Sequence, residues 1–591
     1  MNRLKRQIVV PDIEGDGLDP TKIHCVSYSY LVGDVIKTKS ITDYDEMRKF
    51  FSNKDLTFVG HNFVLYDTRI IKKLLGIEIP LDQLIDTLFI SWYLYPKRLK
   101  HGLEDWGREL GIKKVEIKDE EWATLSAEKA IERCEVGTQI NMALWIKFLS
   151  YLNKIYDNNP IRIINYLMEK AGNIQYQEEN PCRYDTTSAN LLLEKMTEQQ
   201  TKRNDALKAI MPKSIKKTKK VIKDVVKVSE EEYYKKGEPM YDYYIRENYP
   251  VVDHIIEKIT GEVEANPNSV PQKKAWLKSL GWEPTTFKNV KDKVKGTKRK
   301  VEQIMSEVGD GSLCPSVLKL LEREAGIKEL EGLSILNHRI GLVKGLNRDS
   351  RDGYIAATLS GLTTSLRLKH KGLVNLPALS KAYGKEIRGL IIAEEGGLVI
   401  GADLSNIESR LKNHSIFPYD PKYVEELSHP LFDSHLDTAL QGELITKEQH
   451  DFYVWYNLYH KEEKTEQDNQ LLKDFDTSNI QDLINLPIED QKKEIKFIKE
   501  QRQAGKTTNF AAQYGASAAT IAEGAKIPLK TAKKLHSGYH KRNKSVQQFA
   551  NSLTVKEVEG QKWILNPVNN FWLYLKAEKD RFSAVTQNQR F

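Results

Sequence analysis

The chain has 591 residues, 40% of them hydrophobic and 29% charged, a balance that suits several globular domains with sizeable cores and excludes a disordered or fibrous polypeptide. Its 90 basic and 82 acidic side chains leave a formal charge of +8, which is compatible with a nucleic-acid partner. Cys25, Cys134, Cys182 and Cys314 stand far apart without metal-knuckle spacing and read as free thiols of a reducing compartment. No run is apolar enough to span a membrane and the basic N-terminus lacks a hydrophobic signal core, so a cytoplasmic protein is expected.

Residues 1–155 open with Gln7-Ile8-Val9-Val10, a strand pattern running into Asp12-Ile13-Glu14. Strand side chains alternate faces, so Asp12 and Glu14 point the same way. Adjacent carboxylates repel unless a cation sits between them, which suggests a Mg²⁺ or Mn²⁺ site; the following Gly15-Asp16-Gly17 leaves an Asp-rich turn as the other reading. A second strand, Leu56 to Gly60, leads through His61-Asn62 to Asp67 at the head of a helix carrying Ile70, Ile71 and Leu74. Ile85-Asp86-Thr87 and His101-Gly102-Leu103-Glu104-Asp105-Trp106-Gly107 follow, and then Arg133-Cys134-Glu135-Val136-Gly137 before the apolar positions Ile140, Leu144 and Trp145.

From 156 to 350 the pattern is helical: Leu191–Ile210, Val251–Ile259 and Ser316–Ala325, with Pro212 and Pro250 at boundaries. Two lysine-rich runs, 213–220 and 291–300, read equally as solvated loops or as phosphate contacts. Asn266-Pro267-Asn268-Ser269 precedes Gly281-Trp282-Glu283-Pro284-Thr285.

Beyond 351, Thr363-Thr364-Ser365-Leu366-Arg367 is followed by Val374-Asn375-Leu376-Pro377 and by Arg388. Leu398-Val399-Ile400-Gly401-Ala402 reads as a buried strand that delivers Asp403 at its end, with a helix starting at Ser405 and carrying Glu408 and Arg410. Asp433-Ser434-His435 comes next. The acidic, polar stretch 441–500 then leads into Gln501 to Gly515, where Arg502, Lys506, Phe510 and Tyr514 recur every fourth residue and so line one face of a helix that Gly515 stops. Two cations followed by two rings suit a triphosphate and then a sugar and base; an amphipathic helix with its aromatics in a core has the same spacing.

Arg502 to Gly515 matches without a gap the motif Arg-x3-Lys-x3-Phe/Tyr-x3-Tyr-Gly of family A DNA polymerases, the group of bacterial polymerase I and some phage replicative enzymes. The chain resembles that family, in its phage form, along nearly its whole length. The resemblance implies α/β and α+β domains: an RNase H-like 3′–5′ exonuclease domain of the DEDD type (1–155), then a right-hand polymerase with thumb (156–350), palm (351–440), fingers (441–550) and the start of a second palm segment (551–591). Asp12, Glu14 and Asp67 would hold two metal ions in the exonuclease. Arg133 and Gly137 stand where the family has tyrosine and aspartate, which implies an impaired nuclease, and Glu135, two positions on, is no substitute. Asn266 to Ser269 with Gly281 to Thr285 resembles the thumb element that lies along the duplex minor groove.

In the polymerase part, Asp403 would ligate both Mg²⁺ or Mn²⁺ ions and Leu404 would lend its carbonyl; Glu408 would exclude ribonucleotides. His435 would contact the β-phosphate, Arg502 and Lys506 the phosphates, Phe510 the nucleotide and Tyr514 the template. Arg367, Asn375, Arg388 and Gln589 would contact DNA, with Leu366 in place of the family's glycine. The implied ligands are primer–template DNA and dNTPs, with a processivity factor or a helicase as further partners and host cytoplasm as the location. The motif that supplies the second catalytic aspartate, usually His-Asp-Glu, is not found; His450-Asp451 precedes the helix and does not replace it. A single aspartate cannot hold two ions about 3.5–4 Å apart, so a split or truncated polymerase completed by a second polypeptide is expected. Alternative readings are a non-catalytic DNA-binding accessory subunit and a stand-alone nuclease.

Overall fold

A computed structural model describes residues 3–117, 126–229, 232–291, 298–306, 310–404 and 407–575. The chain divides into two units: residues 1–176, 359–369 and 400–591 in the first, 177–358 and 370–399 in the second.

The first unit opens with a five-stranded mixed sheet of order β3-β2-β1-β4-β5, formed by β1 (Gln7–Gly15), β2 (Ile23–Val32), β3 (Val35–Ile41), β4 (Leu56–Gly60) and β5 (Leu84–Asp86). The first three strands run antiparallel, whereas β4 and β5 join β1 in parallel. β4 is buried at all five positions, as a parallel strand covered on both faces must be. Around the sheet lie α1 (Tyr44–Phe51), α2 (Asp67–Leu75), α3 (Thr87–Leu94), α4 (Leu103–Leu110), the 29-residue α5 (Ala127–Ile155) and α6 (Ile161–Glu179). Ile163, Ile164, Leu167, Met168, Ala171 and Ile174 of α6 pack into this core. The first unit runs on through Tyr176, because that apolar face is buried in its core.

One buried carboxylate ties the sheet to its loops. Asp86 caps α3 by accepting from Leu88 N at 2.9 Å, and also accepts from Asn62 N at 3.0 Å and Val64 N at 3.1 Å. Burial pushes its pKa up to about 6. Asp86→Ala orphans three backbone donors, so a loss of about 3 kcal/mol is expected in denaturant unfolding, while Asp86→Asn retains part of the network and loses less.

In the second unit, β6 (Cys182–Tyr184) precedes α7 (Thr186–Ile210), which packs on the later α11 (Leu333–Asp349). Between them lie β7 (Ser214–Lys227), β8 (Tyr233–Lys235), α8 (Tyr241–Arg246), β9 (Val251–Val263), α9 (Val270–Ser279), β10 (Phe287–Lys291), β11 (Lys298–Glu302) and α10 (Pro315–Leu318). β7 and β9 pair antiparallel over almost their full length, with β8 on the outer edge of β7. Residues 251–259 are thus strand and not helix: Val251, Val252, Ile255, Ile256 and Ile259 fit helical spacing, but β-branched residues favour the pleated surface that β7 supplies. The lysine run 213–220 is likewise mostly strand, and much of 291–300 lies outside the described residues. Ser316–Ala325 is broken into a single α-turn and 3₁₀ turns. Ser269 caps α9 as an N-cap should, and Trp282 is core, its indole donating to Ser316 Oγ at 3.1 Å. β12 (Tyr354–Ile355) and β15 (Ile391–Ile392) flank β6 in a three-stranded sheet, with α12 (Gly384–Arg388) just before β15.

β13 (Ala357–Leu362) and β14 (Leu368–Gly372) flank a turn in which Leu366 adopts φ +62° and sits in the core of the first unit. This is the position at which a glycine was expected, and its left-handed backbone gives the physical reason.

The chain then returns to the first unit. Residues 398–402 form no strand; Leu398 and Ile400 are 87% and 88% exposed. The expected burial fails because no described strand pairs with this stretch, leaving nothing to cover its side chains. After it come α13 (Ile407–Ile416), α14 (Pro421–Ser428), α15 (Ser434–Gln441), α16 (Lys447–Tyr459), α17 (Glu466–Lys473), α18 (Gln481–Ile484), α19 (Ile488–Gln513), α20 (Ala518–Ala525), α21 (Leu529–Arg542) and α22 (Lys544–Ser552). A meander of β16 (Val555–Val558), β17 (Gln561–Leu565) and β18 (Trp572–Leu575) ends the described chain. It is anchored on the N-terminal core: Trp563 and Phe571 are buried there, and Tyr156 Oη accepts from Trp572 N at 3.0 Å.

Candidate functional site

α19 carries the four-residue series on its open side. Arg502 is half-buried, Lys506 exposed, Phe510 44% and Tyr514 54% exposed, whereas Ala504, Gly505, Thr508, Asn509 and Ala512 on the opposite face are buried. Gly515, at φ +75°, stops the helix as its position predicts. Lys506 and the two rings therefore face outward, with Arg502 half-buried at their head.

What turns them outward is the contact with α15. A Cβ on Gly505 would stand 2.1 Å from the carbonyl oxygen of His435, so only glycine lets the two helices approach this closely. Asn509 adds a bond from Nδ2 to Ser434 O at 3.2 Å, and the His435 and Phe510 rings lie 5.5 Å apart. Arg502 Nε donates to Asp433 Oδ2 at 2.7 Å, while Asp433 Oδ1 caps α15 by accepting from His435 N and Leu436 N. Burial, with the nearby Arg502, Lys506 and Lys412, holds the His435 imidazole below its ordinary pKa against the pull of Asp433. The structure thus brings together Arg502, Lys506, Phe510 and His435. Asp433 was missed as a site residue, although an Asp two residues before the histidine, at the start of a helix, is a capping signature.

Asp403 and Leu404 lie on the exposed, irregular stretch before α13, and Glu408 is exposed in the first turn of that helix. Among the described residues, Asp403 forms no hydrogen bond or ion pair with α19, and no three His, Cys, Asp or Glu side chains converge closely enough to hold a metal ion. Arg367 belongs to the first unit; its backbone N donates to Thr363 Oγ1 at 2.9 Å. Asn375 and Arg388 belong to the second, where Arg388 donates to the carbonyls of Pro377 and Leu376 and so braces the loop carrying Asn375 at φ +54°. Gln589 lies outside the described residues. His450 and Asp451 form a local pair that also engages Lys447 and Asn479.

The N-terminal carboxylates do share a cavity, of about 830 Å³, lined by Asp12, Glu14, His61, Tyr66, Asp67, Lys114 and Arg133. β1 continues through Gly15, so Asp12 and Glu14 are strand residues and not turn residues. Arg133, from α5, donates through Nε to Glu14 Oε1 at 3.0 Å and also to the carbonyl of Val115. A Cβ on Gly137 would fall 2.3 Å from Asp12 Oδ2 and 3.7 Å from Lys114 Nζ. Glu135 turns away and accepts from Ser40. Lys114 and His61 were missed: the first sits in irregular chain with no motif, and the second is pushed down to about 3 by burial, so it is neutral here. The pair of ions expected for Asp12, Glu14 and Asp67 does not fit this set, because Arg133 takes a Glu14 oxygen and Gly137 brings no carboxylate to Asp12.

No protein-family model and no curated protein sequence matches the chain. Among solved structures, the fold is similar to that of the POL domain of Pol1 from M. smegmatis in complex with DNA primer-template and dNTP, with a TM-score of 0.53 and 14% sequence identity over 100% of this chain and 82% of that one. At this identity the likeness establishes a shared fold, that of a polymerase I-type domain.

Two outcomes are expected. Gly505→Ala drives a methyl group into backbone that cannot yield; it should cost roughly 2–4 kcal/mol in unfolding even though alanine favours helix. Burial, and then the charge of Asp12, raise the Glu14 pKa from 4.5 to about 7. A carboxyl whose folded-state pKa is raised gives stability that is full below pH 4.5 and is lost as pH rises through 7. Melting temperature should therefore fall across that window, and Glu14→Gln should remove a share of the slope worth about 3 kcal/mol.

Proposed function

We propose that the chain is a DNA-directed DNA polymerase of the phage replicative type, extending a primer 3′ end with dNTPs on a template. The observation that carries this reading is the outward face of α19. Its cations reach a triphosphate while α15 holds the other face fixed, and a charged clamp preorganised in this way stabilises a transferring phosphoryl group. The shared fold supports the reading.

Arg502 and Lys506 grip the phosphates, His435 stands beside them, Phe510 stacks on the nucleotide and Tyr514 meets the template. Asp403 and Leu404 supply one side of a Mg²⁺ or Mn²⁺ site, and Glu408 selects against ribonucleotides. Asp403 alone does not fit a pair of ions, so the other carboxylate comes from a further segment or a second polypeptide, which also pairs with residues 398–404, whose apolar side chains are uncovered. Arg367, Asn375, Arg388 and Gln589 contact primer–template DNA. The N-terminal domain has the exonuclease's cavity with its nuclease activity impaired. No helix among the described residues is long and apolar enough to cross a membrane.

Primer extension tests the assignment, with the chain alone and with a candidate palm polypeptide added. Lys506→Ala and Arg502→Ala should each lower dNTP incorporation on the order of 10²-fold, and Phe510→Tyr should improve acceptance of dideoxynucleotides. Primer–template binding without extension under any pairing would point instead to an accessory subunit. Extension undiminished by either alanine would defeat the polymerase reading.

A further inference from the structure

The cavity between β1 and α5 raises a question that its likeness to a nuclease does not answer: what balances its carboxylates. Asp12, Glu14 and Asp67 all face it; Glu14 and Asp67 are 7% and 4% exposed, and Asp12 Oδ2 is buried without a hydrogen-bond partner. Three such groups in one cavity repel each other and cannot all stay charged without a cation. Two cations are present in the chain itself. The Arg133 guanidinium is bonded to Glu14, its flank 18% exposed against 9% for the carboxylate. It is also fixed at its other end by the Val115 carbonyl. Lys114, next to that carbonyl in sequence, reaches the opposite side, near Asp12 and Gly137.

The backbone is shaped to this arrangement. Cys134 Sγ donates to the carbonyl of Asp12 at 3.1 Å, holding α5 against β1. The Asp12 carboxylate then lies where a side chain at 137 would begin, and glycine is the residue that permits it. A guanidinium one helical turn earlier comes from the same face of α5 and enters the same cavity.

We propose that Arg133, with Lys114 beside it, stands in for the divalent ions at Asp12, Glu14 and Asp67, so that most of the charge of this cavity is offset from within the chain and it admits no metal. The unit then folds independently of metal supply. This deepens the reading of an impaired nuclease and rests on it for the nature of the cavity, though not on the polymerase assignment. A guanidinium is fixed by its own helix and cannot exchange, lower the pKa of a water or bridge a phosphodiester as an ion does.

Iron-directed backbone cleavage locates cation sites along the full chain. Fe²⁺ with ascorbate and peroxide cuts the polypeptide beside bound iron, and excess Mg²⁺ suppresses the cuts that arise at exchangeable sites. The unchanged chain should give no Mg²⁺-suppressed cuts next to residues 12–14 or 67. Arg133→Gln and, as a second route, Lys114→Gln should acquire them while keeping the circular dichroism of the parent. Suppressible cuts at those positions in the unchanged chain overturn the assignment, as does their failure to appear in both folded variants. A primer-degradation assay on the unchanged chain keeps the two readings apart. Brisk 3′–5′ digestion defeats the impaired nuclease, whereas cuts without digestion defeat only the substitution of metal by Arg133 and Lys114.

Discussion

The close approach of α15 to α19 at Gly505 is the constraint on which the candidate polymerase site depends. A helix bearing Arg502, Lys506, Phe510 and Tyr514 could as easily bury its rings and leave its cations to solvent. Contact of Gly505 and Asn509 with α15, and burial of Ala512 among Ile521, Ala532 and Tyr539, decide otherwise. Glycine within a helix costs about 1 kcal/mol relative to alanine, and here that cost is offset by backbone contact with His435 that no larger residue allows. The same contact sets His435 beside Phe510 and Asp433 beside Arg502. The ion pair is only partly shielded, at 29% and 26% exposure, so its contribution is modest and an incoming anion can compete for the guanidinium. Packing rather than charge holds the site in shape.

The N-terminal cavity shows the opposite balance. There the strand places two carboxylates on one face and a third joins from α2, so electrostatics is the problem and packing is fitted around it. Gly137 and Cys134 let α5 come down on Asp12, and Arg133 arrives with the helix. Asp86, close by in sequence to the same layer of loops, is a buried carboxylate with a different fate. Its oxygens are met by three backbone N–H groups, so it organises structure without a counter-charge. The difference between the two environments is one of donors supplied, not of burial.

Much of this was legible in the chain's residues, and for identifiable reasons. Periodicity four over Arg502 to Tyr514, ended by Gly515, specifies a helix face regardless of tertiary context, and so does the alternation of Asp12 and Glu14 on a strand. Leu366 stands where the resemblance implies glycine, and its φ of +62° is one that glycine adopts without strain. Residues 251–259 read as helix because Val and Ile at helical spacing also suit a strand when a partner is present, and only the pairing with β7 decides between them. Asp433 had a local capping signature but meets Arg502 from 69 residues away, and Lys114 and His61 act through neighbours more than twenty residues distant, which no local pattern reports.

Residues 398–404 expose the limit of pattern most clearly. Five apolar residues ahead of an aspartate describe a buried strand, yet hydrophobicity states a need for cover without supplying it. Leu398, Val399, Ile400 and Leu404 are each at least 68% exposed, and among the described residues no strand pairs with this segment. An edge of this kind is costly to leave bare, since its N–H and C=O groups and its side chains would both gain from one added strand. A strand that satisfied them would lie directly alongside Asp403.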